Sequence, residues 1–234
     1  MGKLINLKKD GFRIENKTQT TAEIIIYADI GDSWWGDSVT AKSFSDELKG
    51  LPDTVNQIDV RINSGGGDVF QGVSIYNRLK QHKANITVYI DGLAASIASI
   101  IALAGDEVVM GEGSLFMIHR PLTMAFGNAS DLEETINRLD DVEEQLVNIY
   151  RRKTGLDRSE IKTMLAAETW LDADQALEFG FVDKKMEEDE SIDIAASLKR
   201  AKWINKMPDI KSKDDFVKKQ VNNLKKNVEE FLAR

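Results

Sequence analysis

Ile58-Asp59-Val60-Arg61-Ile62-Asn63-Ser64-Gly65-Gly66-Gly67-Asp68 is the stretch on which the reading of the fold turns. Its β-branched run, Ile58 to Ile62, reads as a strand, and Asn63 to Gly67 reads as a glycine-rich loop. Val69 to Gln81 follows with Val73, Tyr76 and Leu79 on one face of a helix. This strand–loop–helix unit has a counterpart on each side. Upstream, Ala22 to Tyr27 is a strand, the segment around Gly31-Asp32-Ser33-Trp34-Trp35-Gly36 a loop, and Thr40 to Leu48 a helix ended by Gly50 and Pro52-Asp53. Downstream, Ile86 to Ile90 is a strand, Asp91-Gly92-Leu93 a tight turn, and Ala94 to Ala104 a small-residue helix stopped by Gly105. Glu107 to Met110 and Ser114 to Ile118 add short strands. Alternation at this spacing predicts an α/β fold with parallel strands and right-handed crossovers.

The longest helix is expected to open at Ser130, where Ser130-Asp131-Leu132-Glu133 reads as a capping box. Leu132, Ile136, Leu139, Val142, Leu146 and Ile149 form its apolar stripe, and Gly155 ends it. A polar helix from Arg158 to Ala167 comes next. Asp172 caps a helix from Ala173 to Phe179, which Gly180 stops before a strand at Phe181-Val182-Asp183. One domain therefore occupies residues 1–185. Residues 186–234 read as an acidic linker, Met186 to Asp193, followed by a basic amphipathic helical tail. In that tail Val217, Val221, Leu224, Val228 and Phe231 repeat at heptad spacing over two repeats, which suits either a lone amphipathic helix or an assembly element.

The 234 residues are 42% hydrophobic and 30% charged, the balance of an ordered globular chain. The absence of cysteine excludes disulfides, thiolate metal sites and a cysteine nucleophile. With only His82 and His119 available, an imidazole zinc site is not expected, and neither a metal nor a cofactor is called for. The net charge of −8 argues against general binding to nucleic acid or an anionic membrane. That charge is uneven: residues 195–234 hold 11 basic and 5 acidic groups, and the preceding residues hold 20 and 34. No secretory h-region follows Met1-Gly2-Lys3-Leu4-Ile5, and the most apolar run, Gly92 to Ala104, is too short to cross a bilayer. A cytoplasmic protein is expected.

Several residues are candidates for chemistry. Ser96 follows a strand and opens a helix, so its hydroxyl projects at the C-terminal edge of a sheet, beside the unpaired amide of Ile97. The same Ala-Ala-Ser-Ile-Ala segment also reads as a close-packed helix. Three successive glycines, Gly65 to Gly67, let amides converge on an anion. No Gly-Lys-Ser/Thr follows, so an oxyanion hole fits better than a phosphate cradle, and a plain turn remains the alternative. His119 ends an apolar strand and is closed in by Pro121. His82 lies at a polar helix end, where it is expected to be solvated and to favour the helix dipole. A histidine base is therefore His119, unless it too is structural. Asp91, Asp106, Asp131, Glu168 and Asp172 are the carboxylates available to orient it, and spacing does not choose among them. Glu168 precedes the apolar Thr169-Trp170-Leu171, which suggests partial burial.

Taken together, Ile62-Asn63-Ser64-Gly65-Gly66-Gly67, Gly92-Leu93-Ala94-Ala95-Ser96, Met117-Ile118-His119-Arg120-Pro121 and Glu168-Thr169-Trp170 with Ala176 to Asp183 resemble the Clp protease proteolytic subunit family. Within it, the chain looks most like the phage Clp-like head maturation (prohead) proteases. Glycine in place of the usual proline in the Ser64-Gly65-Gly66 loop, Trp34-Trp35, Glu168-Thr169-Trp170, Gly127-Asn128-Ala129-Ser130 and the basic tail carry that finer likeness. No ATPase-docking loop of the housekeeping type is recognisable in Met1 to Thr20. The resemblance implies a Clp/crotonase-like fold of repeated β-β-α units with a C-terminal helical extension. It implies homo-oligomeric rings, in which the helix from Ser130 to Tyr150 contributes contacts. It also implies a serine endopeptidase with Ser96 as nucleophile, His119 as general base and the amides of Gly67 and Ile97 as oxyanion hole. The acidic member falls on Glu168, where housekeeping members have aspartate, with Asp172 as the second choice. Capsid or scaffold protein is the expected substrate, without an ATPase partner, a metal or a cofactor. The alternatives are a housekeeping-type Clp peptidase subunit working with an ATPase, a Ser/Lys peptidase of the signal peptide peptidase type, and an inactive capsid scaffold protein. An acyl-CoA enzyme of the same fold does not call for a serine beside an imidazole.

Overall fold

The computed structural model describes residues 11–32 and 37–186. The Trp34-Trp35 pair and the linker and tail expected beyond Met186 lie outside the described residues. The chain opens with β1 (Phe12–Asn16) and β2 (Thr21–Ile26), an antiparallel pair with Phe12 opposite Ile26. Two short strands, β3 (Asp29–Ile30) and β4 (Ser38–Val39), pair with each other, and α1 (Ala41–Leu48) starts at a Thr40/Ser43 capping box. Then come β5 (Gln57–Ser64), α2 (Val69–Lys80), β6 (Asn85–Ala95), α3 (Ile97–Ala102), β7 (Glu107–Met110) and β8 (Leu115–Ile118). The remainder is α4 (Ala129–Thr154), α5 (Arg158–Ala166), β9 (Thr169–Leu171), α6 (Ala173–Glu178) and β10 (Lys184–Lys185).

Among the described residues the main sheet runs β1-β2-β5-β6-β7-β10, with β8 beside β6 and β9 beside β8. Only the β1–β2 and β8–β9 pairs are antiparallel; the rest are parallel, as the strand–helix alternation predicts. The central strands bury near-continuous apolar residues, including Ile58, Val60, Ile62, Ile86, Val88 and Ile90, because helices cover a parallel sheet. No helix among the described residues is long and apolar enough to cross a membrane.

The structure corrects the expected turn at Asp91-Gly92-Leu93. These residues continue β6, which changes partner there: Thr87 to Ile90 pair with β7, and Leu93 to Ala95 pair with β8. A buried aspartate survives mid-strand because Arg61 Nε donates to it at 2.9 Å, the Arg61 Nη2 ion pair adds a second contact, and the Tyr27 hydroxyl donates a third. The Arg61 guanidinium also sits 4.9 Å from the centre of the Tyr89 ring. A Cβ at Gly92 would lie 2.8 Å from Asn63 Oδ1, so a larger residue there would displace the Asn63 amide. The small-residue helix is correspondingly shorter than expected, Ile97–Ala102.

Three further expectations change in detail. The longest helix is capped two residues earlier than expected, by Asn128, which accepts from the Ser130 and Asp131 amides while Asp131 completes the box. Of its expected apolar stripe only Leu146 is buried, joined by Val147 and Tyr150 from outside the stripe, while Leu132 and Ile136 are exposed. Phe181-Val182-Asp183 forms no strand; Phe181 plugs the core between Phe116 and Tyr150, with ring centres 5.2 and 5.9 Å away.

Breaking a buried ion pair on one side leaves a desolvated charge, at a cost of about 3–5 kcal/mol. Asp91→Ala is therefore expected to lower the unfolding free energy by about that amount, read by urea denaturation. A loss under about 1 kcal/mol would show that water reaches Arg61 and that the cluster is not a desolvated one.

Candidate active site

Ser96 sits where β6 gives way to α3. Its amide donates to the Met117 carbonyl at 3.0 Å, one step beyond the Ala95–Met117 pairing of β6 with β8. Because the two strands are parallel, both chains leave the sheet at the same edge, one as Ser96 and the other as His119. There, Ser96 Oγ and His119 Nε2 lie 2.8 Å apart. When the hydroxyl donates this bond, Nε2 is the acceptor and the ring proton resides on Nδ1. The imidazole is half-buried and its strand end is tied on two sides. The Arg120 amide donates to the Leu165 carbonyl at 3.2 Å, and Arg120 Nε pairs with the buried Glu143 of α4 at 3.1 Å.

Burial lowers the His119 pKa, and the negative charge of Glu168 partly offsets that by raising it. The ring is thus neutral, and able to accept a proton, at lower pH than an ordinary histidine. Among the described residues no carboxylate is hydrogen-bonded to it. Glu168 is exposed rather than partly buried as expected, and its carboxylate accepts a long bond, 3.4 Å, from the Trp170 indole. The other acidic candidates are engaged elsewhere. Asp91 holds Arg61, Asp106 accepts from the Ile86 amide at 2.9 Å, Asp131 accepts from the Asn128 amide at 3.0 Å, and Asp172 caps α6 through the Gln175 amide at 2.9 Å.

Ser96 and Glu168, with φ of 55° and 51°, are the non-glycine residues with left-handed backbone among those described. Such conformations cost about 1–3 kcal/mol each and gather at functional sites. At Ser96 the unusual angles (ψ −127°) form the elbow that lifts the hydroxyl out of the sheet and starts α3 on the next residue.

The glycine loop packs directly on this elbow. Gly66 (φ 95°) carries no Cβ because one would lie 2.7 Å from the Ala95 carbonyl oxygen and 2.8 Å from Ser96 Cβ. At Gly67 (φ 146°) a Cβ would lie 2.1 Å from the Ile30 carbonyl oxygen. Two bonds tie the loop to β3: Ile30 N–H to the Gly66 carbonyl at 2.9 Å, and Asp68 N–H to the Ile30 carbonyl at 2.8 Å. This alternation leaves out the Gly67 amide. The Ile97 amide, first in α3, also has no carbonyl one turn back to accept it. The paired hydroxyl and imidazole therefore stand at an elbow on which the glycine loop packs, an arrangement that suits attack on a carbonyl.

His82 differs from expectation. Its Nδ1 accepts from the Ala84 amide at 3.1 Å and burial lowers its pKa, so it is not a charged partner of the helix dipole. Sequence reasoning also missed the Arg120–Glu143 pair and a bond between Ser99 Oγ and the Tyr150 hydroxyl at 2.7 Å. No sequence signal marks either pair, since the partners come from distant elements.

The Clp protease family profile matches residues 14–189 of the chain. The ATP-dependent Clp protease proteolytic subunit 1 of Protochlamydia amoebophila is 32% identical, over 77% of this chain and 88% of its own. The ATP-dependent Clp protease proteolytic subunit of Bacteroides fragilis is 30% identical, over 63% of this chain and 73% of its own. A solved ClpP1 variant from Listeria monocytogenes superposes with a TM-score of 0.62 at 24% identity, covering 73% of this chain and 92% of that one, which establishes likeness of fold. With a family match across most of its length and a 32% identical relative of which it covers 88%, the chain belongs to the Clp protease family and is a serine-type peptidase.

Proposed function

We propose that Ser96 is the nucleophile of this peptidase, His119 its general base, and the Gly67 and Ile97 amides its oxyanion hole. The 2.8 Å approach of Ser96 Oγ to His119 Nε2 at the strained elbow carries the reading. His119 takes the hydroxyl proton as Oγ attacks the peptide carbonyl, and the two amides receive the negative charge on the tetrahedral oxygen. The imidazolium then protonates the leaving amine, and water clears the acyl-enzyme by the reverse sequence. Glu168 acts on the imidazolium through its charge rather than through a direct bond. The neighbour of Ser96 Oγ is an imidazole and not an amine, which favours this mechanism over the Ser/Lys alternative.

For substrate and partner, we favour unfolded polypeptide delivered by an ATPase into a ring of these subunits, over capsid or scaffold protein cut unaided. Two relatives carry "ATP-dependent" in their names, and the exposed apolar side chains of Phe70, Leu122, Met124 and Phe126 flank the glycine loop and His119 in sequence, which suits extended, unfolded chains. The capsid reading draws on the basic tail and remains the second reading for that reason. The two readings separate in one measurement. The assembled protein, given a Clp ATPase and ATP, is expected to degrade a folded, tagged protein that it leaves intact alone. ATP-independent, site-limited cleavage of a capsid precursor would reverse the preference.

Ser96→Ala is expected to abolish peptide hydrolysis and labelling by a fluorophosphonate probe, without loss of the fold. Retained cleavage by the purified variant would overturn the assignment. The pH profile tests Glu168. Wild-type kcat/KM is expected to fall on the acid side with a midpoint below the ordinary histidine value, because burial lowers the His119 pKa. Glu168→Gln removes the charge that raises this pKa, so the midpoint moves further down. Since no bond is broken, the loss in kcat is expected to be about tenfold, far short of the roughly 10⁴ that a directly bonded triad carboxylate supplies. A 10⁴-fold loss would mean that Glu168 bonds the ring in the working enzyme, and a midpoint that moves up would mean that the Glu168 charge does not favour the imidazolium.

A further inference from the structure

Behind the nucleophile elbow lies a chain of buried hydroxyls that the mechanism above does not use. α3 is otherwise apolar: Ile97, Ala98, Ile100, Ile101 and Ala102 are all buried, and Ser99 among them is fully enclosed. The Ser99 hydroxyl donates to the Ser96 carbonyl oxygen at 2.5 Å, and the Ser99 amide donates to the same oxygen at 3.0 Å. A serine hydroxyl has one proton, so Ser99 Oγ is the acceptor in its 2.7 Å bond with the Tyr150 hydroxyl of α4. The direction of the chain is then fixed: Tyr150 O–H to Ser99 Oγ, and Ser99 O–H to the Ser96 carbonyl. Full burial pushes the Tyr150 phenol above its ordinary range, so it remains a protonated donor at any working pH.

The Ser96 carbonyl and the Ile97 N–H belong to one peptide group. Hydrogen bonds to the oxygen draw electron density from the nitrogen, strengthen the N–H as a donor and fix the plane in which it points. We propose that Ser99 and Tyr150 are positioning residues for the oxyanion hole, aligning and polarising the Ser96–Ile97 peptide so that its N–H is set toward the developing oxyanion. The proposal rests on the reading of the Ile97 amide as a hole donor. Because the effect grows with charge on the tetrahedral oxygen, it belongs to the transition state and not to the binding of substrate.

The test uses the assembled full chain with Ser99→Ala, Tyr150→Phe and the double substitution. The readouts are kcat and KM on a fluorogenic peptide, inhibition by a peptide boronate, and thermal stability. In the boronate complex the serine oxygen adds to trigonal boron, its proton passes to His119, and a boron-bound oxygen occupies the hole. Ser99→Ala is expected to lower kcat by about tenfold, well below the 10²–10³ that losing a hole donor outright costs. KM should stay unchanged, with boronate affinity falling in parallel. Tyr150→Phe, which keeps the ring that packs on Phe181, should lose less. The double variant should match Ser99→Ala, since the phenol acts only through Ser99.

Full kcat and full boronate affinity in a stable Ser99→Ala variant would overturn the proposal. So would additive losses, or losses that follow melting temperature rather than kcat. If Ser99→Ala does not assemble, Tyr150→Phe carries the test alone: kcat and boronate affinity must fall together at constant KM, and no change in them refutes the proposal. Ser96→Ala in the same series distinguishes the two levels. Activity in that variant breaks the nucleophile reading itself, whereas a dead Ser96→Ala beside an unimpaired Ser99→Ala breaks only the present inference.

Discussion

The hydrogen bond from the Ser96 amide to the Met117 carbonyl is the last rung of the β6–β8 ladder, and the site's geometry follows from where that ladder stops. β7 and β8 behave as one strand alongside β6 with an interruption. Thr87 pairs with Glu107 and Ile90 with Met110, whereas Leu93 pairs with Leu115 and Ala95 with Met117. Residues 111–114 therefore face only residues 91–92, an excess of two. Because side chains alternate with a period of two along a strand, that excess leaves each residue on the face it already had, while bending the sheet toward β8 and β9. The Gly111 amide on the Ile90 carbonyl, and the Ser114 hydroxyl on the Gly111 carbonyl, satisfy the polar groups that the interruption exposes.

Holding Ser96 at φ 55° opposes the ordinary preference of an L-residue, and the surroundings determine it from several directions at once. β8 fixes its amide, Ser99 fixes its carbonyl, and the glycine loop fills the space against its Cβ. The loop is held in turn by Ser64, whose hydroxyl donates to the Ala28 carbonyl at 2.6 Å and accepts from the Gly66 amide at 3.2 Å. Ser96 and the glycine loop are therefore parts of one mutually braced corner.

What was legible in the sequence follows from the range of the interactions involved. Local rules located α1, α2, α5 and α6 to within a residue or so, because capping and apolar spacing act over a few residues: Asp172 caps as its position suggests, and Thr40, read as the first helical residue, is the cap itself. Ser96, His119 and the glycine loop were legible as candidates because a strand edge, a closing proline and a glycine run each leave a local trace. Asp91-Gly92 misled, since Asp-Gly ordinarily turns a chain; here Arg61, 30 residues away, satisfies the carboxylate and keeps the strand straight. The Tyr150–Ser99 and Arg120–Glu143 contacts left no trace, since each joins two elements whose meeting is decided by packing.

The acidic residue brings the local and the long-range arguments together. In a triad with a directly bonded carboxylate, one group both orients the imidazole and stabilises its cation. In the proposed mechanism the two tasks are divided. Orientation comes through the backbone: the Leu165 carbonyl accepts from the Arg120 amide and from the Glu168 amide, each at 3.2 Å, so a single oxygen ties the strand end bearing the imidazole to the turn bearing the acid. The Arg120–Glu143 pair adds a second tether from α4. Stabilisation comes through space, because the Glu168 charge favours the imidazolium without touching it. A charge acting at a distance tolerates a longer and more exposed side chain than a hydrogen bond does, which is the physical sense in which a glutamate at position 168 suits this site.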